Sequence, residues 1–278
     1  MKPAGHLIAA IMLCMPALAV AGAPAAAGEP VLRVCADPNN LPFSNAKEEG
    51  FENRLARMVG NALHARVEYT WWAQRRGFVR NTLKAGLCDV VMGVPSGYGL
   101  ALTTRPYYRS TFVFVYRKDR AYDLHALDDP RLATLKIGLH VLGNDNPPPA
   151  LILARRGITD NVIGYSIYGD YRDANPPARL IEAVARGDVD VAIAWGPLAG
   201  YFARQAPAEL AVAPIDQPDD APLPMQFSVS LGVRKGDHAL KDRLDSVLQK
   251  LRPEIDVLLR DYAVPLLNAP PDMAASGP

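Results

Sequence analysis

Apolar residues in this chain follow two rhythms: short unbroken runs, and longer stretches in which they recur every three or four places. The runs predict buried strands and the spaced stretches predict helices packed on them. Strands are expected at 31–36, 67–72 and 89–94. Between the first two, Phe51, Leu55, Met58, Val59, Ala62 and Leu63 share one helical face toward the sheet, with Glu52, Arg54 and Arg57 outward. A second helix is expected at 76–85, which completes a β-α-β-α-β series and the start of a doubly wound sheet. After a strand at 111–116, the polar stretch Arg-Lys-Asp-Arg-Ala-Tyr-Asp reads as a crossing into a second lobe. That lobe begins afresh, with strands at 136–141, 162–168, 189–194 and 211–215. Its helices are expected at 149–156, closed by Gly157, at 177–186, and from Pro197 onward. The proline-punctuated segment 216–224 returns the chain. A strand at 227–233 and helices at 238–251 and 253–262 have no sheet of their own and should pack back on the first lobe.

Two stretches repeat one pattern: Ala-Gly-Leu-Cys-Asp-Val-Val-Met-Gly-Val-Pro, ending at Pro95, and Arg-Gly-Asp-Val-Asp-Val-Ala-Ile-Ala-Trp-Gly-Pro, ending at Pro197. Each is a helix closed by glycine (Gly86, Gly187), an aspartate (Asp89, Asp190), an apolar strand and a turn begun at Pro95 or Gly196. Apolar strands fed by helices mark parallel sheets covered on both faces. The expected fold is therefore α/β, a hinged clamp of two doubly wound lobes. Lobe one is 31–118 plus 225–268, lobe two is 119–224, and 269–278 is a flexible tail. Ligands in such sheets bind beyond the carboxyl ends of the strands, so Val94, Pro95 and Ser96 should oppose Trp195 and Gly196.

The first 27 residues change the compartment: Lys2, an apolar run over 7–20 and the stretch Ala-Val-Ala-Gly-Ala-Pro-Ala-Ala-Ala read as a cleaved secretory signal, cut after Ala21 or Ala27. Cys14 lacks the small residues that precede a lipidated cysteine, and the run is shorter than the ~20 residues of a membrane span. No membrane anchor is expected. Lys plus Arg number 30 and Asp plus Glu 29, so loss of Lys2 leaves a balanced chain with no basic face for nucleic acid. Cys35 and Cys88 are then the only cysteines, and in an oxidising compartment they suggest a disulfide. It would stabilise by roughly 4 kcal/mol in the chain-entropy model. The pairing requires staggered strands, and two buried free thiols are the alternative.

Catalytic and metal chemistry finds little footing. His64, His125, His140 and His238 are scattered without ligand spacing and read as structural or solvated. The calcium-like start at Asp37 fails at Leu41 and Pro42. Gly-Val-Pro-Ser-Gly at Ser96 misplaces the first glycine of a serine-nucleophile turn. No phosphate loop or Cys-x-x-Cys occurs, so neither catalytic residues nor metal nor cofactor is expected. Aromatics gather where a cleft is expected: Trp71, Trp72, Tyr98, Tyr107, Tyr108, Trp195 and Tyr201. Such rings suit an apolar ligand or a protein surface. Trp71 and Tyr108 read better as core, Trp195 as cleft. Arg75 and Arg76, beside the paired tryptophans, form either a docking patch or a solvated helix start.

Leu-Arg-Val near the mature start, Asp-Val-Val-Met-Gly-Val and Arg-Pro-Tyr-Tyr-Arg-Ser resemble the periplasmic solute-binding proteins, family 3, of amino-acid transporters. Four further stretches resemble the branch encoded beside quinoprotein alcohol dehydrogenases, the MxaJ and XoxJ type proteins of methanol oxidation. They are Val-Cys-Ala-Asp-Pro-Asn-Asn-Leu-Pro-Phe-Ser-Asn (34–45), Tyr-Thr-Trp-Trp-Ala-Gln-Arg-Arg-Gly-Phe-Val-Arg-Asn-Thr-Leu (69–83), Tyr-Gly-Asp-Tyr-Arg (168–172) and Trp-Gly-Pro-Leu-Ala-Gly-Tyr-Phe (195–202). The chain departs from the transporter pattern at both charge anchors. Pro-Ser-Gly-Tyr-Gly-Leu replaces the Thr and Arg that clamp a ligand carboxylate, and Trp195 replaces the aspartate that receives its ammonium. The resemblance implies a non-catalytic, monomeric periplasmic partner of a PQQ-dependent methanol or alcohol dehydrogenase. A transport receptor for a small neutral or aromatic solute is the alternative. The residues expected to bind ligand or partner are Asn40, Phe43, Trp72, Arg76, Ser96, Tyr98, Tyr107, Tyr168 and Trp195.

Overall fold

The computed structural model describes residues 29–141, 146–167, 173–216 and 223–268. The expected signal segment 1–27, the tail 269–278, Tyr168 and most of the proline-punctuated return lie outside them. The first part of the chain forms β1 (Val31–Ala36), short β2 (Asn39–Asn40) and β3 (Ser44–Asn45), α1 (Phe51–Ala62), β4 (Arg66–Trp71), one-turn α2 (Phe78–Asn81), β5 (Val90–Pro95), β6 (Leu102–Thr103) and the long β7 (Tyr108–Arg117). The second part forms β8 (Ile137–Val141), α3 (Pro148–Arg155), β9 (Val162–Ser166), α4 (Ala178–Arg186), β10 (Val191–Trp195), α5 (Gly196–Gln205) and β11 (Leu210–Pro214). β12 (Gln226–Val233), α6 (His238–Lys250) and α7 (Arg252–Asp261) complete it.

The main sheet runs β4-β1-β5-β12-β7-β10-β8-β9. β1 pairs in parallel with β4 and β5, and β8 in parallel with β9 and β10, giving the expected parallel core at each end. β7 joins the two ends: Tyr108 to Thr111 pair with β12, while Phe112 to Tyr116 pair with β10. β7 thus belongs to both ends of the sheet, ahead of the polar stretch that follows residue 116. Val113, Phe114 and Val115 are fully buried there, as the strand expected at 111–116 requires. The returning β12 enters between β5 and β7. Behind it, Leu244, Val247, Ile255 and Leu259 of α6 and α7 share a core with Val34, Phe51 and Leu55.

The repeated aspartates have one structural role. Asp89 accepts from the Arg33 backbone N–H at 3.2 Å, and Asp190 from that of Lys136 at 2.8 Å. Each locks the strand after a helix to the start of its parallel neighbour. Burial pulls the Asp89 carboxyl upward in pKa, but bonds from Arg33 and Arg234 outweigh it and hold the group below its usual range. α4 ends as its sequence indicates: Gly187 at φ 80° takes the left-handed position, and its N–H reaches the Val184 carbonyl at 3.0 Å.

The helix expected at 76–85 is reduced to one turn. Thr82 leaves helical geometry at φ −119° and ψ −79°, and its hydroxyl donates to the Phe78 carbonyl at 2.7 Å. Phe78, Val79 and Leu83 then fold onto Cys35 and Cys88 in a small separate core. The two cysteines are disulfide-bonded with Cα atoms 5.5 Å apart, and Cys35 lies in register with Val91, which supplies the stagger. Non-reducing digestion of protein purified without reductant should yield the linked peptides, and reduction should lower the unfolding temperature. Labelling of both thiols in fresh protein would contradict the bridge.

Candidate functional site

A cavity of about 510 Å³ opens where the carboxyl ends of β5, β8 and β10 converge. Its first wall is shaped by Asp37. The Asp37 carboxylate accepts from the backbone N–H groups of Asn39 at 2.8 Å and Gln74 at 2.6 Å, so the segment after β1 is tied to the loop after β4. Asn40 and Gln74, joined by a 3.0 Å amide bond, face the cavity with Phe43. Phe43 meets Phe51 edge to face at 5.4 Å and thereby seats the start of α1.

Glu52, expected outward, instead lines this cavity. The first turn of α1 is anchored by the Phe51 and Glu52 N–H groups donating to the Pro42 and Phe43 carbonyls at 2.8 and 2.9 Å. That anchoring points the second helical residue over β5. Gly93 stands below it without a side chain, and a Cβ there would run into Glu52 Oε1. Burial pushes the Glu52 carboxyl up to about 8. No cation or donor among the described residues offsets that cost, because the N–H groups of the helix start are already committed.

The second wall carries His140, at the end of β8 and 5% exposed. Its Nε2 lies 2.9 Å from the Pro177 carbonyl, an obligate acceptor, so Nε2 bears the hydrogen and Nδ1 is an acceptor. Nδ1 is buried without a hydrogen-bond partner among the described residues. Burial pushes the imidazole pKa down to about 4, so the ring is neutral at physiological pH. Pro147 and Pro148 at the start of α3, with Ile167, Ile193 and Leu198, make most of the rest of this wall apolar, and Asn146 adds one amide.

Three strands contribute the floor. Phe112 of β7, Trp195 of β10 and Phe227 of β12 form a closed set of edge-to-face rings, with centroids 5.5, 5.8 and 6.5 Å apart. Tyr108, which is buried, lines the same cavity. Tyr108 is thus both core and cleft, whereas Trp71 is stacked on Tyr69 at 4.5 Å against the first core.

Of the residues singled out in the sequence, the cavity brings together Asn40, Phe43, Val94, Pro95, Tyr108 and Trp195. Ser96, Tyr98 and Tyr107 are placed elsewhere. Ser96 Oγ is 2.7 Å from Ser230 Oγ, Tyr98 packs on the disulfide core, and the Tyr107 hydroxyl donates to the Met92 carbonyl at 2.9 Å. Trp72 and Arg76 are exposed on the surface beyond β4, beside Arg75. The strand-end rule could have found His140, which terminates an apolar strand. Nothing in the sequence pointed to Glu52, Phe112 or Phe227.

The site offers an acceptor on each wall over an aromatic floor, and no lysine or arginine lines it among the described residues. Among the same residues no group of three His, Cys, Asp or Glu side chains is placed to hold a metal ion, and no helix is long and apolar enough to cross a membrane. A free amino acid would bring its carboxylate into a cleft without a cation and beside Glu52. Calorimetry at pH 7 should therefore find no micromolar amino-acid ligand. A single one would reveal a carboxylate anchor that this lining lacks.

Residues 32–262 match the bacterial extracellular solute-binding proteins, family 3. The protein MoxJ of Methylorubrum extorquens strain AM1 is 33% identical across 94% of this chain and 92% of its own length. Among solved structures, the periplasmic binding protein XoxJ of Methylobacterium extorquens AM1 is 38% identical with a TM-score of 0.72, covering 86% of this chain and all of that one. MxaJ of Methlophaga aminisulfidivorans MPT is 28% identical with a TM-score of 0.75, covering 85% of this chain and again all of the other.

Proposed function

The chain belongs to the bacterial extracellular solute-binding proteins, family 3, and from that membership we propose that it is a non-catalytic periplasmic accessory protein of a PQQ-dependent methanol or alcohol dehydrogenase. It reaches the periplasm through cleavage of the signal in residues 1–27. It works as a monomeric clamp of lobes 31–118 plus 225–268 and 119–224. Its task is to help the dehydrogenase assemble or become active. The observation that carries this reading is the cleft itself, in a chain so similar to MoxJ, XoxJ and MxaJ along nearly its whole length. Transport receptors for amino acids hold the ligand carboxylate with arginine, and this cavity is lined instead by rings, a lone acid and a neutral imidazole.

The test is genetic and enzymatic. Deletion of the gene should remove most PQQ-dependent alcohol dehydrogenase activity from the periplasm, and a copy in trans should restore it. Unchanged activity in the deletion strain, together with lost uptake of a solute, would favour the transport reading.

A further inference from the structure

Glu52 and His140 are the two titratable side chains lining the cavity that neither the accessory role nor the packing of the fold uses. His140 is buried and Glu52 half-buried among rings and aliphatic groups, and neither has a cation of its own among the described residues. In water such groups would be solvated, so burying them costs free energy unless something enters to pair with them. What they ask for is the same: His140 Nδ1 is a bare acceptor, and a carboxylate at Glu52 accepts hydrogen bonds and balances positive charge. Trp195, Phe112, Phe227 and Phe43 line the same cavity, surroundings that favour a cation with an apolar body.

We propose that this cavity binds a small organic ammonium ion, a protonated amine on an apolar or aromatic body, with its N–H groups donated to Glu52 and with His140 Nδ1 as a second acceptor on the facing wall. This goes beyond the accessory role and holds under the transport alternative as well. Zwitterions and carboxylic acids are excluded by the same lining, since their anionic end would meet Glu52 and no cation. The groups facing Glu52 across the packed elements are Tyr69 of β4, Tyr107 and Tyr108 of β7 and, from the opposite wall, neutral His140. None of these supplies positive charge and no lysine or arginine among the described residues lines the cavity, so in this proposal the ligand brings it.

Binding then requires Glu52 to ionise, and the carboxyl holds its proton up to about pH 8. Apparent affinity for a cation should follow the ionised fraction and rise roughly fifty-fold from pH 6 to pH 8, flattening above. The experiment is calorimetry with the intact mature protein and three probes of one shape: 2-phenylethylamine, 2-phenylethanol and 3-phenylpropionate. At pH 8 the amine should bind at least tenfold more tightly than the alcohol, and the acid should not bind. The Glu52→Gln variant should lose both the preference for the amine and its pH dependence while still binding the alcohol. His140→Phe, which fills the same space without the acceptor, should weaken the amine but keep its pH profile. Equal binding of amine and alcohol by the parent protein, no binding of the amine at pH 8, or an unchanged pH profile in Glu52→Gln would each overturn the proposal. Because the parent's own preference among the probes is decisive, a variant that folds poorly leaves the proposal open to refutation. Loss of amine binding would not touch the dehydrogenase reading, which is measured by activity in the deletion strain.

Discussion

At pH 8.5 the Glu52→Gln variant is expected to unfold at a clearly higher temperature than the parent, and the gap should close as the pH is lowered toward 4.5. A carboxyl raised from 4.5 to about 8 by burial is more strongly protonated in the folded than in the unfolded chain. The folded state therefore holds the extra proton through that window, and stability falls as pH rises across it. The ceiling on the loss is ~5 kcal/mol, reached above pH 8, and glutamine does not incur it because it has no proton to lose. His140 acts in the opposite sense. Its pKa is lowered from 6.5 to about 4, so stability is lost as pH falls through that interval, when the unfolded chain binds the proton first. In the parent the two slopes oppose one another between pH 4.5 and 6.5, and only the Glu52 slope remains from 6.5 to 8. In the variant the His140 slope stands alone, giving a rise to pH 6.5 and a plateau beyond. Urea unfolding of both proteins at pH 5, 6.5 and 8.5 measures this, and parallel profiles would show that Glu52 is solvated.

The parallel strands were legible because strands covered on both faces must be continuous apolar runs, which β5 and β10 are. The closure of α4 was legible because a left-handed residue at a helix end selects glycine, as at Gly187. The repeated aspartates showed in the sequence, although their role became clear only once Asp89 and Asp190 were seen tying parallel strands together. The cleft was harder to read. After β5 the chain turns away from the opening: the Ser96 N–H donates to the Ser228 carbonyl at 2.9 Å and the Gly97 N–H to Thr103 Oγ1 at 3.1 Å. Ser96 and Tyr98 are carried with it, so proximity in sequence to a strand end did not place them in the cleft. Glu52 was assigned outward by helical spacing, a rule that assumes solvent on the polar side. At the first turn of α1 the polar side looks over Gly93 into the cavity. Phe112, Trp195 and Phe227 come from three strands far apart in the chain, and no local pattern announces that they touch.

In a strain lacking the native gene, Trp195→Ala is expected to fail to restore dehydrogenase activity, while Tyr98→Ala restores it. The two rings look alike in the sequence, each in a turn after an apolar strand. In the fold they differ: Trp195 is part of the cavity floor with Phe112 and Phe227, whereas Tyr98 packs beside the disulfide core. An aromatic anchor of an interface is worth ~2 kcal/mol or more, roughly thirtyfold in affinity, so removing it should abolish a productive contact at periplasmic concentrations. Trp195 also packs, half-buried, against both large cores, and truncating it costs stability below the ~3–5 kcal/mol of a fully buried ring. Trp195→Phe separates the two effects. It retains a ring against Phe112 and Phe227, loses the indole N–H, and should leave the protein folded at growth temperature. If the cleft is the working surface, Trp195→Phe should give partial activity with normal protein levels, and Trp195→Ala the activity of the empty strain even when its folded amount is matched by overexpression. Full activity from folded Trp195→Ala would remove the cleft from the mechanism and direct attention to the exposed surface at Trp72, Arg75 and Arg76.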